Sequence, residues 1–139
     1  MFNEKLASDY LKRAGHRLKA LETLMAEESW ADVVREAQEL VEITLKALLR
    51  SCGVEVPQIH DLSPVLEQNE ERLPASLKAN LHELTRISRS LRRDRELAFY
   101  GSEDLTPSDF YTREDAAAAL KDARLVHSEV SRAMHSDQA

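Results

Sequence analysis

Trp30, Val33, Val34, Ala37, Leu40, Val41, Thr44, Leu45 and Leu48 recur at intervals of three and four residues. That spacing puts them on one side of a helix and cannot serve a strand, whose period is two. Phe2, Leu6, Tyr10, Ala14, Leu18, Leu21 and Met25 repeat the pattern. Two helices follow, over residues 2–26 and about 29–50, with Ser29 as N-cap of the second and Asp32 three residues on. Gly53 suits the left-handed position after a helix, and the short link predicts an antiparallel hairpin. Gly15 lowers helix propensity and leaves room for a neighbouring helix to approach.

The rest of the chain is read the same way. Val54 to His60 is a loop. Ser63 and Pro64 start a short helix ending near Asn69. Pro74 opens a long helix that Gly101 closes, and residues 102–110 form a polar loop containing Pro107. Thr112 and Asp115 have the form of a capping box for a last helix to about Met134, with Ala116, Leu120, Ala123, Val130 and Met134 inward. Only three Gly, four Pro and 5% aromatic residues in 139 leave little for a sheet. The expected fold is all-α, an up-down bundle of four long helices plus one short helix. One domain is expected over residues 1–135, with a frayed tail at 136–139.

Charge is distributed unevenly. Five arginines and one acid fall within residues 86–95, while the remainder holds 14 basic and 24 acidic residues. At about 100° per residue, Arg86, Arg89, Arg93 and, if the helix extends so far, Tyr100 share an arc of about 60°. Leu84, Ile87 and Leu91 lie opposite. Arg95 falls on the apolar arc and has to snorkel or pair with an acid. Arginine forks grip phosphate or carboxylate in two-pronged fashion, so the stripe is either an anion-binding face or a network of arginine–acid pairs. A net charge of −6 argues against nonspecific coating of DNA or anionic membrane.

Several kinds of chemistry find no pattern. His16, His60, His82, His127 and His135 lack metal-ligand spacing, His127 and His135 lying about 12 Å apart along an axis, so surface or capping roles are expected and no metal. Glycine-rich phosphate loops and nucleophile elbows are missing, and no cofactor is expected. Cys52 is alone, which fits a reducing compartment and a partly buried thiol. The opening Met1-Phe-Asn-Glu-Lys-Leu has charges where a signal peptide needs an apolar run, and no apolar run approaches membrane-spanning length. A cytoplasmic protein is expected.

Three segments together resemble the HEPN superfamily of small helical bundles. Asp32 to Gly53, with Glu42 and Lys46-Ala-Leu-Leu before Gly53, resembles the family's second helix, in which Ala-x-Glu-x-x-x-Lys-Ala-Leu-Leu precedes a glycine. Pro57-Gln-Ile-His60-Asp-Leu is similar to the family's turn into its short helix, and the arginine window ends in Ala98-Phe-Tyr100-Gly. Pro107 to Ala119 resembles the lead-in to the last helix. The resemblance implies a homodimer that partners a minimal nucleotidyltransferase and binds nucleotide or RNA phosphates through Arg86, Arg89, Arg93 and Tyr100. In ribonuclease members an arginine is followed by histidine and often tyrosine. Arg93 and Tyr100 match, but the histidine position is Ala98, and no histidine lies within fifteen residues of it. A methyl group neither gives nor takes a proton, so a degenerate motif and no catalytic residue are expected. The alternative is a metal-independent ribonuclease toxin of a toxin–antitoxin pair, using Arg93 and Tyr100. In related pairs the transferase modifies the motif tyrosine, which makes Tyr100 a candidate AMP acceptor. The Glu42–Lys46 pair is implied to lie near the bundle centre.

Overall fold

The computed structural model describes the backbone of residues 4–100 and 106–137 and the side chains of residues 4–91 and 106–135. The elements in order are α1 (Glu4–Ala26), α2 (Trp30–Ser51), α3 (Ser63–Gln68), a 3-10 turn (Glu70–Arg72), α4 (Ala75–Ala79), α5 (Leu81–Tyr100), α6 (Pro107–Phe110) and α7 (Arg113–Asp137). The described residues are helix and connection only. Four long helices pack as a bundle, as the periodicities predict.

Helix α2 is the centre. It packs against α1, α5 and α7, and Val33, Ala37, Leu40, Leu45, Ala47, Leu48 and Leu49 are all fully buried. Burial on several sides at once is what a central helix requires. Thr44 is also buried, and its Oγ1 donates to Leu40 O at 2.7 Å, which removes the cost of an orphaned hydroxyl. All five residues read as inward on the last helix are buried. On α1 the buried positions are Ala7, Ala14 and Leu21, while Leu6, Tyr10, Leu18 and Met25 are half-buried. Phe2 and Gly101 lie outside the described residues.

Both α1 and α2 end in the same turn. Val54 N donates to Leu49 O and Gly53 N to Arg50 O, with Gly53 at φ 78°. Ser29 N donates to Leu24 O and Glu28 N to Met25 O, with Glu28 at φ 61°. These are Schellman ends. The second puts a glutamate where glycine is favoured, and this turn, not a cap, sets the entry to α2. Ser29 makes no side-chain cap bond; its Oγ donates instead to Asp32 Oδ2 at 2.7 Å.

The segments between the long helices depart from expectation. The helix read from Pro74 to Gly101 is interrupted at Asn80, which separates α4 from α5. Asn80 N bonds back three residues to Leu77 O, and asparagine favours such irregular points. Leu77, Leu84 and Ile87 remain buried across the jog. Residues 107–110 form a short helix, not loop. Thr106 caps it, its Oγ1 accepting from Asp109 N at 3.3 Å, and Pro107 stands in the first turn. The capping box of α7 forms reciprocally: Asp115 N donates to Thr112 Oγ1 at 3.2 Å and Thr112 N to Asp115 Oδ2 at 2.9 Å. Helix α7 runs on through Asp137, so residues 136 and 137 are helical rather than frayed.

Gly15 faces α7, but a methyl added there would meet His127 Nε2 at 3.7 Å, an ordinary contact. The helices therefore do not need a glycine at this point. No described helix is long and apolar enough to cross a membrane.

Candidate functional site

The site is built on α5, which runs unbroken from Leu81 to Tyr100. Leu84, Ile87 and Leu91 are buried against the bundle, so Arg86 and Arg89 point outward as their phase predicts. They line an open cleft of about 560 Å³ together with Glu67, His82, Thr85 and Ser90. Both have acids nearby. Arg86 donates from Nη2 to Glu83 Oε1 at 2.5 Å and reaches Asp122 Oδ1 of α7 at 3.4 Å. Glu83 sits below the usual carboxylate range chiefly because it accepts from Arg86, which is itself pushed up mainly by that bond. Arg89 stands 3.6 Å from Glu67, and its side chain is 64% exposed. Arg93 and Tyr100 continue the same face by helical phase; their side chains, and that of Arg95, lie outside the described ones.

The loop before α3 is fastened to two helices. Asp61 Oδ1 accepts from Ser63 N at 3.0 Å, from Ser63 Oγ at 2.5 Å and from Ser88 Oγ at 3.2 Å. Ser88 Oγ in turn accepts from Leu62 N at 3.0 Å. Ser63 is thus the first residue of α3, and its amide is satisfied by the Asp61 carboxylate two residues before it. Burial pushes the Asp61 carboxyl up, but the Ser63 and Ser88 hydrogen bonds and the nearby Arg89 charge hold it below its ordinary value.

One residue earlier, His60 Nδ1 lies 2.7 Å from Glu42 Oε1 in the middle of α2. Glu42 also accepts from Lys46 Nζ at 3.0 Å and Gln38 Nε2 at 3.2 Å. Only 13% of its side chain is exposed. Burial raises its pKa, and the bonds from His60, Lys46 and Gln38 outweigh that and leave it lowered. Glu42 and Lys46 thus form the expected pair toward the bundle centre. His60 is exposed, as its surface reading predicts, and in addition its ring is tied to the largely covered Glu42 carboxylate. The partners are eighteen residues apart and periodicity cannot join them; the adjoining Asp61, an acid at a helix start, is the one local sign that this loop is anchored.

His127 is half-buried beside Gly15, and burial alone pushes its pKa down. Cys52 is half-buried. Trp30 is half-buried beneath the Arg113 guanidinium, 4.9 Å from the ring centroid. Among the described residues no group of three or more His, Cys, Asp or Glu side chains is placed to hold a metal ion.

A helical bundle with an arginine face on one long helix and a carboxylate–lysine pair at the centre of another defines a class. The chain matches the family model of the HEPN domain over residues 7–133, and it belongs to that family. A protein of Methanocaldococcus jannaschii named "Putative toxin MJ1304" is 32% identical to it over 131 residues, which cover 90% of this chain and 86% of the relative. No solved structure matches significantly.

Proposed function

We propose that this chain binds nucleotide or RNA phosphates along the arginine face of α5. It does so as the HEPN subunit of a toxin-type pair, working as a homodimer with a minimal nucleotidyltransferase as its partner. The observation that carries the reading is the unbroken run of α5, which keeps the positions of Arg86, Arg89, Arg93 and Tyr100 on one face about 21 Å long. Arg89 and its partner Glu67 are both more than half exposed, so the pair is weak and phosphate can displace the carboxylate. Arg86, held by acids from α5 and α7, is the end of the face that fixes its geometry. In a two-fold dimer two such faces meet, and bound anions offset the doubled positive charge. Ala98 removes the motif histidine, so binding without fast turnover is the primary reading.

The name of the M. jannaschii relative favours a second reading, a ribonuclease toxin acting through Arg93 and Tyr100. Tyr100 is also the proposed acceptor of AMP from the partner transferase. Incubation with that enzyme and ATP should add an AMP-sized mass, and an unchanged intact mass removes this part of the proposal.

Thermal melts against ATP, AMP, other nucleotides and short RNAs test the binding itself. A ligand at a hundredfold excess over Kd adds about 2.7 kcal/mol of stability. A rise in Tm that disappears in the Arg89→Ala/Arg93→Ala variant is expected. No rise with any ligand, or a rise the variant retains, overturns the reading.

A further inference from the structure

We infer that the phosphate site on α5 continues as a track along the seam between α7 and α1. Its ligand is then the backbone of an extended polynucleotide strand and not a single nucleotide. The inference rests on the phosphate-binding reading above and names the kind of ligand that reading leaves open.

The track is a row of hollows that share walls. Arg86 lines the α5 cleft together with Arg89. It also lines a second cleft of about 780 Å³, where α5 meets α7 and α1 at Glu83, Lys121, Arg124 and Leu18. His127 belongs to that cleft and to a third hollow of about 330 Å³, with Gly15, Ser131 and His135. Ser8 and Lys12 of α1 line the third hollow and a fourth, of about 530 Å³, which they share with Lys5. Ala118 and His135, at the two ends of the α7 portion, are about 25 Å apart along the helix axis.

Charge along the row favours an anion. Four acids line it. Glu67 stands against Arg89, and Glu83 and Asp122 both stand against Arg86, so arginine already matches three of them. Asp9 is the fourth. Arg124 pairs with Glu22. Lys5, Lys12 and Lys121 are exposed and stand in no ion pair among the described residues. The seam therefore has cations to spare on a chain whose net charge is −6.

The rest of the lining selects the kind of anion. Phosphates spaced along a flexible strand can each meet a separate lysine, a point charge on a long stem. A protein partner needs aromatic or apolar anchors at the centre of its interface. Leu125, 38% exposed, is the one exposed large apolar side chain on the row among the described residues. No Phe, Tyr or Trp lines these hollows. Contacts thus go to the strand's backbone, which carries no sequence information.

The test measures binding of wholly 2′-O-methyl RNA, which cannot be cleaved through its 2′ oxygen, as salt is raised. Lengths of about four and about twelve nucleotides lie within the range of single-strand site sizes. The proteins are the full chain as wild type, as Lys5→Ala/Lys12→Ala/Lys121→Ala and as Arg89→Ala, each checked for its melt. Three lost phosphate contacts flatten the slope of log K against log salt by about two. The expected result is that flattening for the longer RNA in the lysine variant, with affinity down more than about tenfold at ~0.1 M salt. The shorter RNA should stay within about twofold of wild type, and Arg89→Ala should weaken both lengths. A lysine variant that binds the longer RNA as wild type does overturns the track, and the α5 site stands if Arg89→Ala still weakens binding. Equal losses for the two lengths overturn it too, because they report net charge and not contact. A polyglutamate peptide that binds wild type as tightly as the longer RNA, and is lost by the lysine variant, makes the seam a docking surface for an acidic protein segment and overturns the strand as its ligand. Wild type that binds neither RNA removes the α5 site and the track together.

Discussion

Glu42 and Arg89 are charged side chains on two helices that pack against each other, yet they are held in opposite ways. Glu42 has only 13% of its side chain exposed, with partners drawn from its own helix and from a loop eighteen residues away. Arg89 stands in solvent, 3.6 Å from one exposed glutamate. A half-buried carboxylate that loses its partners leaves an unpaired charge, which is costly. An exposed pair that opens is rehydrated at once. The α2 cluster thus holds the architecture, and the α5 face remains available to a ligand.

The largest effect should come from the core that both regions share. Leu45→Ala on α2, fully buried, should lose about 2–5 kcal/mol in urea unfolding. A loss below 1 kcal/mol would mean that α2 is not the centre of the bundle.

Glu42→Gln should cost about 1–3 kcal/mol by weakening three hydrogen bonds and should respond little to salt. It also carries a pH signature. The folded pKa of Glu42 lies below its ordinary 4.5, so its contribution is complete above pH 4.5 and fades as pH falls through the folded value. Asp61, lowered from 3.8, acts in the same direction at lower pH. Acid unfolding of Glu42→Gln should therefore be shallower than that of wild type, and identical profiles would deny the carboxylate this role.

Gly15→Ala should raise stability by up to about 1 kcal/mol, since the helix gains propensity and the new methyl meets only an ordinary contact with His127. A fall in Tm would show that α1 and α7 do need the glycine. Arg89→Ala should change stability by less than about 1 kcal/mol, and the change should vanish in high salt. A larger, salt-resistant loss would place Arg89 with Glu42 as a structural charge and break the contrast.

Most of the fold was legible because its signals are local. Apolar spacing located the inward side of α2 and α7, Gly53 marked the end of α2, and Thr112 with Asp115 marked the start of α7. The jog at Asn80 was not legible, since the apolar positions on either side keep their phase across it. Glu28 in a left-handed turn offers no sign in its residue type. Of the site, the outward face of Arg86 and Arg89 followed from phase. Their acids, Asp122 and Glu67, and the bond from His60 to Glu42 depend on how the helices pack, and one-dimensional spacing does not carry that.

The most direct measurement is the affinity of a labelled, wholly 2′-O-methyl RNA as salt is raised, for wild type and for Arg89→Ala/Arg93→Ala. Each neutralised phosphate of a single strand contributes a slope of about −0.7 to log K against log salt. If the α5 face holds phosphates, wild type binds with a negative slope, and the variant binds more weakly with a slope shallower by about one to one and a half. Equal affinity and slope in the two proteins, or no binding by wild type, would contradict a phosphate site on this helix.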